Sequence, residues 1–251
     1  MSHVVRVGLL AEGEAELGAS VPYVTPQEGG KPIPNDKEGA LHHIIRRELI
    51  HHGVEQVVFI QRHPGFKRES AKGQVRVGHT VVEEKYVSQQ AASWLFKNEI
   101  DLFVILVDAD AEPHDKRKSD MEKAVAAAGK HFLDENEETL TGKAVGGLAI
   151  KTFDTWLLAD DANLKAVLDV AIEIELTENL EELPTGSDSN SSKQRLAQII
   201  EGSSVISDRD NQKYLKCYWL LAESIDLDQI KQRCPEGYGE FAKKLVEAVS
   251  I

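Results

Sequence analysis

Three apolar runs, VVRVGLL (4–10), VEQVVFI (54–60) and LFVILV (102–107), most constrain what this chain can fold into. They are short, largely β-branched and apolar at nearly every position, the pattern of strands buried on both faces of a parallel sheet. Helical patterns separate them. GALHHIIRRELIHHG (39–53) carries Leu41, Ile44, Ile45 and Leu49 at helical spacing and closes on Gly53, a favourable C-cap. VVEEKYVSQQAASWLFKN (81–98) places Val87, Ala91, Trp94 and Leu95 on one stripe, and RKSDMEKAVAAAGKHFLDE (117–135) follows the third strand. A fourth strand is expected at AVGGLAI (144–150), and FDTWLLADDANLKAVL (153–168) as one or two helices. Strand–helix alternation of this kind implies an α/β fold with a parallel sheet flanked by helices.

Past residue 160 the pattern turns helical, with helices expected near 192–202, 209–223, 226–233 and 237–249. The acidic stretch EIELTENLEELP (173–184) reads as a solvated face, and TGSDSNSSK (185–193) as a polar loop. The expected organisation is a core over 1–160 and a helical C-terminal extension over 161–251. Segment 19–38 is rich in Pro and Gly and structureless by pattern, which suits a lid, a substrate loop or a tolerated surface insertion.

Hydrophobic residues make up 41% of the 251 positions and charged residues 28%, the balance of a globular protein. No apolar run approaches the ~20 residues of a membrane helix. The N-terminus meets acidic residues after about ten positions, unlike a signal or transit peptide. Two cysteines, Cys217 and Cys234, are too few for a disulfide framework or a structural zinc site, so a cytoplasmic location is expected. A net charge of −13 argues against a freestanding, sequence-independent nucleic-acid binder, which needs a basic surface. It leaves open an enzyme acting on nucleic acid, because acids hold divalent metals and a partner can supply the basic groove.

The acids are placed with a pattern. LLAEGEAELG (9–18) runs from the first strand straight into Glu12, Glu14 and Glu16, and DLFVILVDADAE (101–112) from the third into Asp108 and Asp110. In an extended segment residues i and i+2 face one side, so both aspartates can address one ion. Ligand sites of open α/β sheets lie beyond the carboxyl ends of the strands, where both motifs sit. Carboxylates gathered at one edge repel unless a cation neutralises them or some are protonated. Hard oxygen donors suit Mg²⁺ or Mn²⁺. Asp154 and Lys151 stand just past the fourth strand: Asp154 as a further ligand or a helix N-terminal acid, Lys151 as a stabiliser of phosphoryl charge or a surface lysine. The same acids also have structural readings as turn formers and caps.

LLAEGEAE, VILVDAD and AIKTFDTWLLAD, in this order and spacing, resemble the Toprim fold shared by topoisomerases, primases and overcoming-lysogenization-defect nucleases. The chain looks more closely like small Toprim-like proteins of unassigned function encoded beside ATPases in bacterial restriction and anti-phage clusters, a similarity that extends to ELPT and CPEGYGEFAKKL (234–245). The resemblance implies a Rossmann-like sheet, a Toprim-like catalytic core and Mg²⁺-dependent phosphodiester chemistry on nucleic acid, with an ATPase partner. By motif, Glu12 matches the family's first glutamate, Glu16 its second acid, and Asp108 and Asp110 its DxD pair. Asp154 stands where that pattern has a glutamate, one methylene longer. Segment 19–38 exceeds the family's shorter connection.

Other chemistries fit less well. The nine histidines form no HExxH motif, and His42, His43, His51 and His52 are expected on a polar helix face. In RHPGFKRE (62–69), Arg62, His63, Lys67 and Arg68 are candidates for backbone contacts to nucleic acid or simply a basic loop. There is no P-loop, no GxGxxG after a strand and no GxSxG. Two alternatives to a metal-dependent nuclease stay open. One is a non-catalytic docking subunit of an ATPase complex. The other is an aspartyl phosphatase or phosphotransferase, against which the DxD lies on the third strand and is followed by Ala111.

Overall fold

A computed structural model of the protein describes residues 4–18, 30–61, 81–95, 99–110, 114–132, 143–171 and 178–250. Four strands, β1 (Val4–Leu10), β2 (Gln56–Phe59), β3 (Leu102–Asp108) and β4 (Ala144–Ala149), form one sheet in the order β2-β1-β3-β4. Every pairing is parallel, with Val5 beside Val57, Leu9 beside Val104 and Asp108 beside Ala149. This is a Rossmann-like α/β fold, and the four strands lie where the apolar runs place them.

Strand alternation divides the side chains between two buried layers. Val5, Val7, Leu9, Leu102, Val104 and Leu106 belong to a cluster that includes Leu41, Ile44 and Leu49 of α2 (Ala40–His51). Leu10, Phe103, Ile105 and Val107 face the opposite layer, with Val87, Ala91 and Trp94 of α3 (Glu84–Leu95) and Met121 and Ala124 of α4 (His114–Gly129). Helices therefore cover both faces, as the continuous apolar character of β3 requires. The expected helix at 153–168 is two, α5 (Asp154–Leu157) and α6 (Asp161–Leu168), because Asp160 accepts from Asn163 N (3.0 Å) and starts a new helix.

The C-terminal helices α7 (Ser192–Gly202), α8 (Lys213–Ser224), α9 (Leu227–Arg233) and α10 (Glu240–Val249) follow, with a π-helical turn at Pro235–Gly239. Leu196, Leu221, Ile230, Phe241 and Leu245 join the same hydrophobic cluster as β1 and α2. Buried Glu48 of α2 ties the layers together: it accepts from Tyr238 Oη (2.7 Å) and pairs with Lys231 Nζ at 2.8 Å. None of the described helices is long and apolar enough to cross a membrane.

Two polar readings change. His42, expected on a polar face, is 1% exposed; its Nδ1 accepts from Gly39 N (3.0 Å) at the start of α2, its ring meets Phe59 edge-on, and burial pushes its imidazole down to about 3. Glu181, within the stretch expected to be a solvated face, is 7% exposed and accepts from Glu236 N (3.0 Å) and Gly237 N (2.6 Å). Neutral His42 and doubly bonded Glu181 satisfy backbone N–H groups that burial would otherwise leave unpaired. Of segment 19–38, residues 19–29 lie outside the described residues, as do 62–69 and 172–177. Residues 31–33 run beside the end of β2, with Ile33 N donating to Phe59 O at 2.7 Å.

The acidic turn after β1 folds into α1 (Glu14–Leu17), held against the entry to α2 by two glycines. A Cβ on Gly39 would lie 2.1 Å from Gly18 N, and one on Gly18 would lie 2.0 Å from Lys37 O, where φ is also +86°. Backbone meets backbone here, so no side-chain rotation can relieve the clash. Gly39→Ala should therefore destabilise the protein by about 1–3 kcal/mol, read as a lower denaturant midpoint. An unchanged midpoint would show that α1 is not held by this contact.

Candidate functional site

In a β2-β1-β3-β4 sheet the chain leaves β1 for one side and later returns to the other, so the topological switch lies between β1 and β3. The carboxyl ends of strands at such a switch are the usual ligand position in open α/β sheets. Glu12 emerges there from β1 and Asp108 ends β3. Asp108 N donates to Glu12 Oε1 at 3.2 Å, so the two motifs, 96 residues apart in sequence, are in direct contact.

The DxD pair is shaped by β4 rather than by an extended strand. The ladder continues past β3, with Ala109 N donating to Ala149 O (2.9 Å) and Asp110 N to Lys151 O (2.8 Å). Asp110 has φ 49° and Lys151 φ 69°, both left-handed and neither glycine. The strand geometry behind the i, i+2 expectation thus stops at Asp108. Each left-handed residue costs about 1–2 kcal/mol, and such strain persists where the surroundings impose it, commonly at functional sites. Asp108 Oδ1 accepts from Phe153 N at 2.8 Å, which ties β3 to the start of α5.

Asp108, Asp110, Lys151, Thr152 and Asp154 line one cavity of about 340 Å³. Its other wall is the polar loop, Pro184–Ser187, and the start of α7, including Ser191 and Lys193. That loop was expected only as a connection. Nothing in its composition marks it as a cavity wall, because α7 reaches the site by packing on α5, where Thr155 Oγ1 donates to buried Ser192 Oγ at 2.8 Å. Glu12 and Glu16 join the group through Asp108 and Asp154 rather than by lining this cavity.

Electrostatics bind the set together. Burial first, then Glu16, Glu12, Asp154 and Asp110 push the Asp108 carboxyl well above the usual carboxylate range. Glu16 is 9% exposed, and its carboxyl is pushed up to about 7, by burial first and then by Asp154 and Glu12, partly countered by backbone N–H groups. Glu16 Oε2 is buried with no hydrogen-bond partner. An orphaned carboxylate oxygen of this kind is costly. Among the described residues no three His, Cys, Asp or Glu side chains are already gathered as a metal-holding group.

Tyr218 of α8 also meets this group. Its hydroxyl donates to Asp154 Oδ1, and burial followed by Asp154, Glu16 and Asp108 pushes the phenol upward, so it stays a proton donor. In the sequence it is an aromatic residue on an amphipathic helix, indistinguishable from a packing residue.

The raised Glu16 carboxyl has a signed consequence. The native state keeps a proton that the unfolded chain releases near its ordinary value of 4.5. The stabilisation is complete below that value and is lost as pH rises through about 7. In chelator, the protein should therefore lose at least roughly 3 kcal/mol across this window through Glu16, and Glu16→Gln should reduce the loss, the raised Asp108 carboxyl keeping the rest. Melting curves at a series of pH values check this; a wild-type profile that rises from acid to neutral pH would contradict it.

Residues 37–245 match a family described as a domain of unknown function (DUF4276). The matched region contains Asp108, Asp110, Lys151, Asp154 and Tyr218, whereas Glu12 and Glu16 precede it. No curated protein and no solved structure matches the chain. Because the match spans most of its length, the chain belongs to the DUF4276 family of domains of unknown function.

Proposed function

We propose that the protein is a Toprim-like, Mg²⁺- or Mn²⁺-dependent nuclease or nuclease-like subunit, working in the bacterial cytoplasm in anti-phage defence beside an ATPase. The observation that carries this reading is the contact between Glu12 and Asp108 at the switch point, where burial first and then Glu16 and Glu12 push the Asp108 carboxyl upward. The donors fit a hard divalent cation: all are carboxylate oxygens, they repel one another, and Glu16 Oε2 is buried without a partner. Glu12, Glu16, Asp108, Asp110 and Asp154 would hold it. When bound, the metal supplies phosphate polarisation, water activation and stabilisation of the leaving oxygen.

The chain's own groups do the rest. The Phe153 and Asp108 N–H groups fix the Asp108 and Glu12 carboxylates. Lys151 lines the cavity and would counter charge on a phosphoryl oxygen. Glu12 is the candidate to take a proton from the attacking water. The ~340 Å³ cavity falls within the range of small-ligand pockets. With no P-loop in the sequence, ATP dependence would belong to the partner.

A second reading has its own support. The net charge of −13 and the acidic stretch within the helical C-terminal part suit a docking subunit that has the fold without the chemistry. Titration calorimetry with Mn²⁺ separates the two, since a scaffold takes up none. For the nuclease, Asp108→Asn combined with Asp110→Asn should reduce cleavage of plasmid or single-stranded nucleic acid at least about 100-fold, given that even outer partners of metal ligands are worth about 10- to 100-fold. The assay uses Mg²⁺ or Mn²⁺, with the neighbouring ATPase where one is encoded. Undiminished cleavage by the double variant would remove the assignment.

A further inference from the structure

The geometry points to Tyr218 as a positioning residue, supplied by the C-terminal helices, that orients the Asp154 carboxylate for a divalent cation. This rests on the metal reading above and adds to it a residue outside the acidic motifs.

Three observations carry it. First, the Tyr218 hydroxyl donates to Asp154 Oδ1, and Asp154 is itself only 7% exposed and lines the cavity with Asp108 and Asp110. A carboxylate with a directed donor on one oxygen has its rotation restricted and presents its remaining lone pairs in a set direction, which is how outer partners orient metal ligands. Second, α8 packs against both α1 and α5, the elements that carry Glu16 and Asp154. One helix therefore governs how the acid beyond β4 faces the acids beyond β1. Third, the ring of Tyr218 packs on the main hydrophobic cluster, so the hydroxyl is held at the end of an anchored lever.

The environment also separates this role from nucleophilic attack. A tyrosine nucleophile needs an accessible oxygen and a route to the phenolate. Tyr218 has its oxygen committed to a carboxylate. Asp154 needs such a partner. It sits in the first turn of α5, a helix of four residues whose preceding residue, Phe153, makes no side-chain capping bond. Its aspartate arm is short, so small rotations decide where its oxygens point.

The test is Mn²⁺ binding by titration calorimetry on the full-length protein, with thermal melts as a folding control. Tyr218→Phe keeps the ring and removes the hydroxyl; Tyr218→Met removes it with a different shape, so either folded variant serves. Each should bind Mn²⁺ about tenfold more weakly than wild type, with cooperative melts. In an Asp154→Asn background Tyr218→Phe should cause no further weakening, because its effect runs through that carboxylate. A merely structural tyrosine would shift the melt and leave affinity alone. Wild-type affinity in a folded Tyr218 variant, or an undiminished loss in the Asp154→Asn background, overturns the assignment while leaving the metal reading intact. Absence of Mn²⁺ binding by wild type overturns both.

Discussion

The hydrogen bond from Asp108 N to Glu12 Oε1 draws together two acidic chain ends that would otherwise separate. Like charges at the exits of adjacent parallel strands repel, and burial sharpens the repulsion because less water screens it. Backbone N–H groups offset part of that cost: Asp108 N serves Glu12 and Phe153 N serves Asp108. Protonation offsets another part: burial first, and then the neighbouring carboxylates, make Glu16 and Asp108 hold their protons more tightly than ordinary carboxyls. The remainder is an unmet electrostatic demand at one sheet edge, the physical basis for reading that edge as a cation site.

The surrounding structure accepts local penalties to hold this arrangement. Gly18 and Gly39 let two backbones touch so that α1 stays beside β1. Asp110 and Lys151 take left-handed conformations where β3 and β4 leave the sheet. Proteins commonly concentrate such strain where function demands a fixed geometry, and hold it there with a well-packed frame. Here the frame is large, since α2 and the four C-terminal helices share one hydrophobic cluster with the sheet.

Much of the frame was legible before folding. VVRVGLL and LFVILV are apolar without interruption because helices cover both faces, and they occur as β1 and β3 with the expected bounds to within a residue. Gly53 marks the end of α2, and the helices near 192–202 and 226–233 lie where their apolar spacing places them. The misreadings share one cause. His42 and Glu181 are polar by composition and buried in fact, because each satisfies backbone groups brought to it by the fold: Gly39 for one, Gly237 for the other. Residue polarity records what a side chain costs to bury and is silent about which partner removes that cost.

The sequence by itself determined where strands and helices lie and that strands β1 and β3 each run directly into acid, since periodicity and local composition are properties of neighbouring residues. Only the tertiary structure decided that β1 and β3 are adjacent, that Asp110 turns left-handed against Lys151, that the loop before α7 forms the far wall of the cavity, and that Tyr218 meets Asp154. Those relations join residues tens of positions apart or more, or depend on a backbone conformation imposed by a neighbouring strand. Packing and the hydrogen bonds it brings together act across such separations and have no signature within a short window of chain.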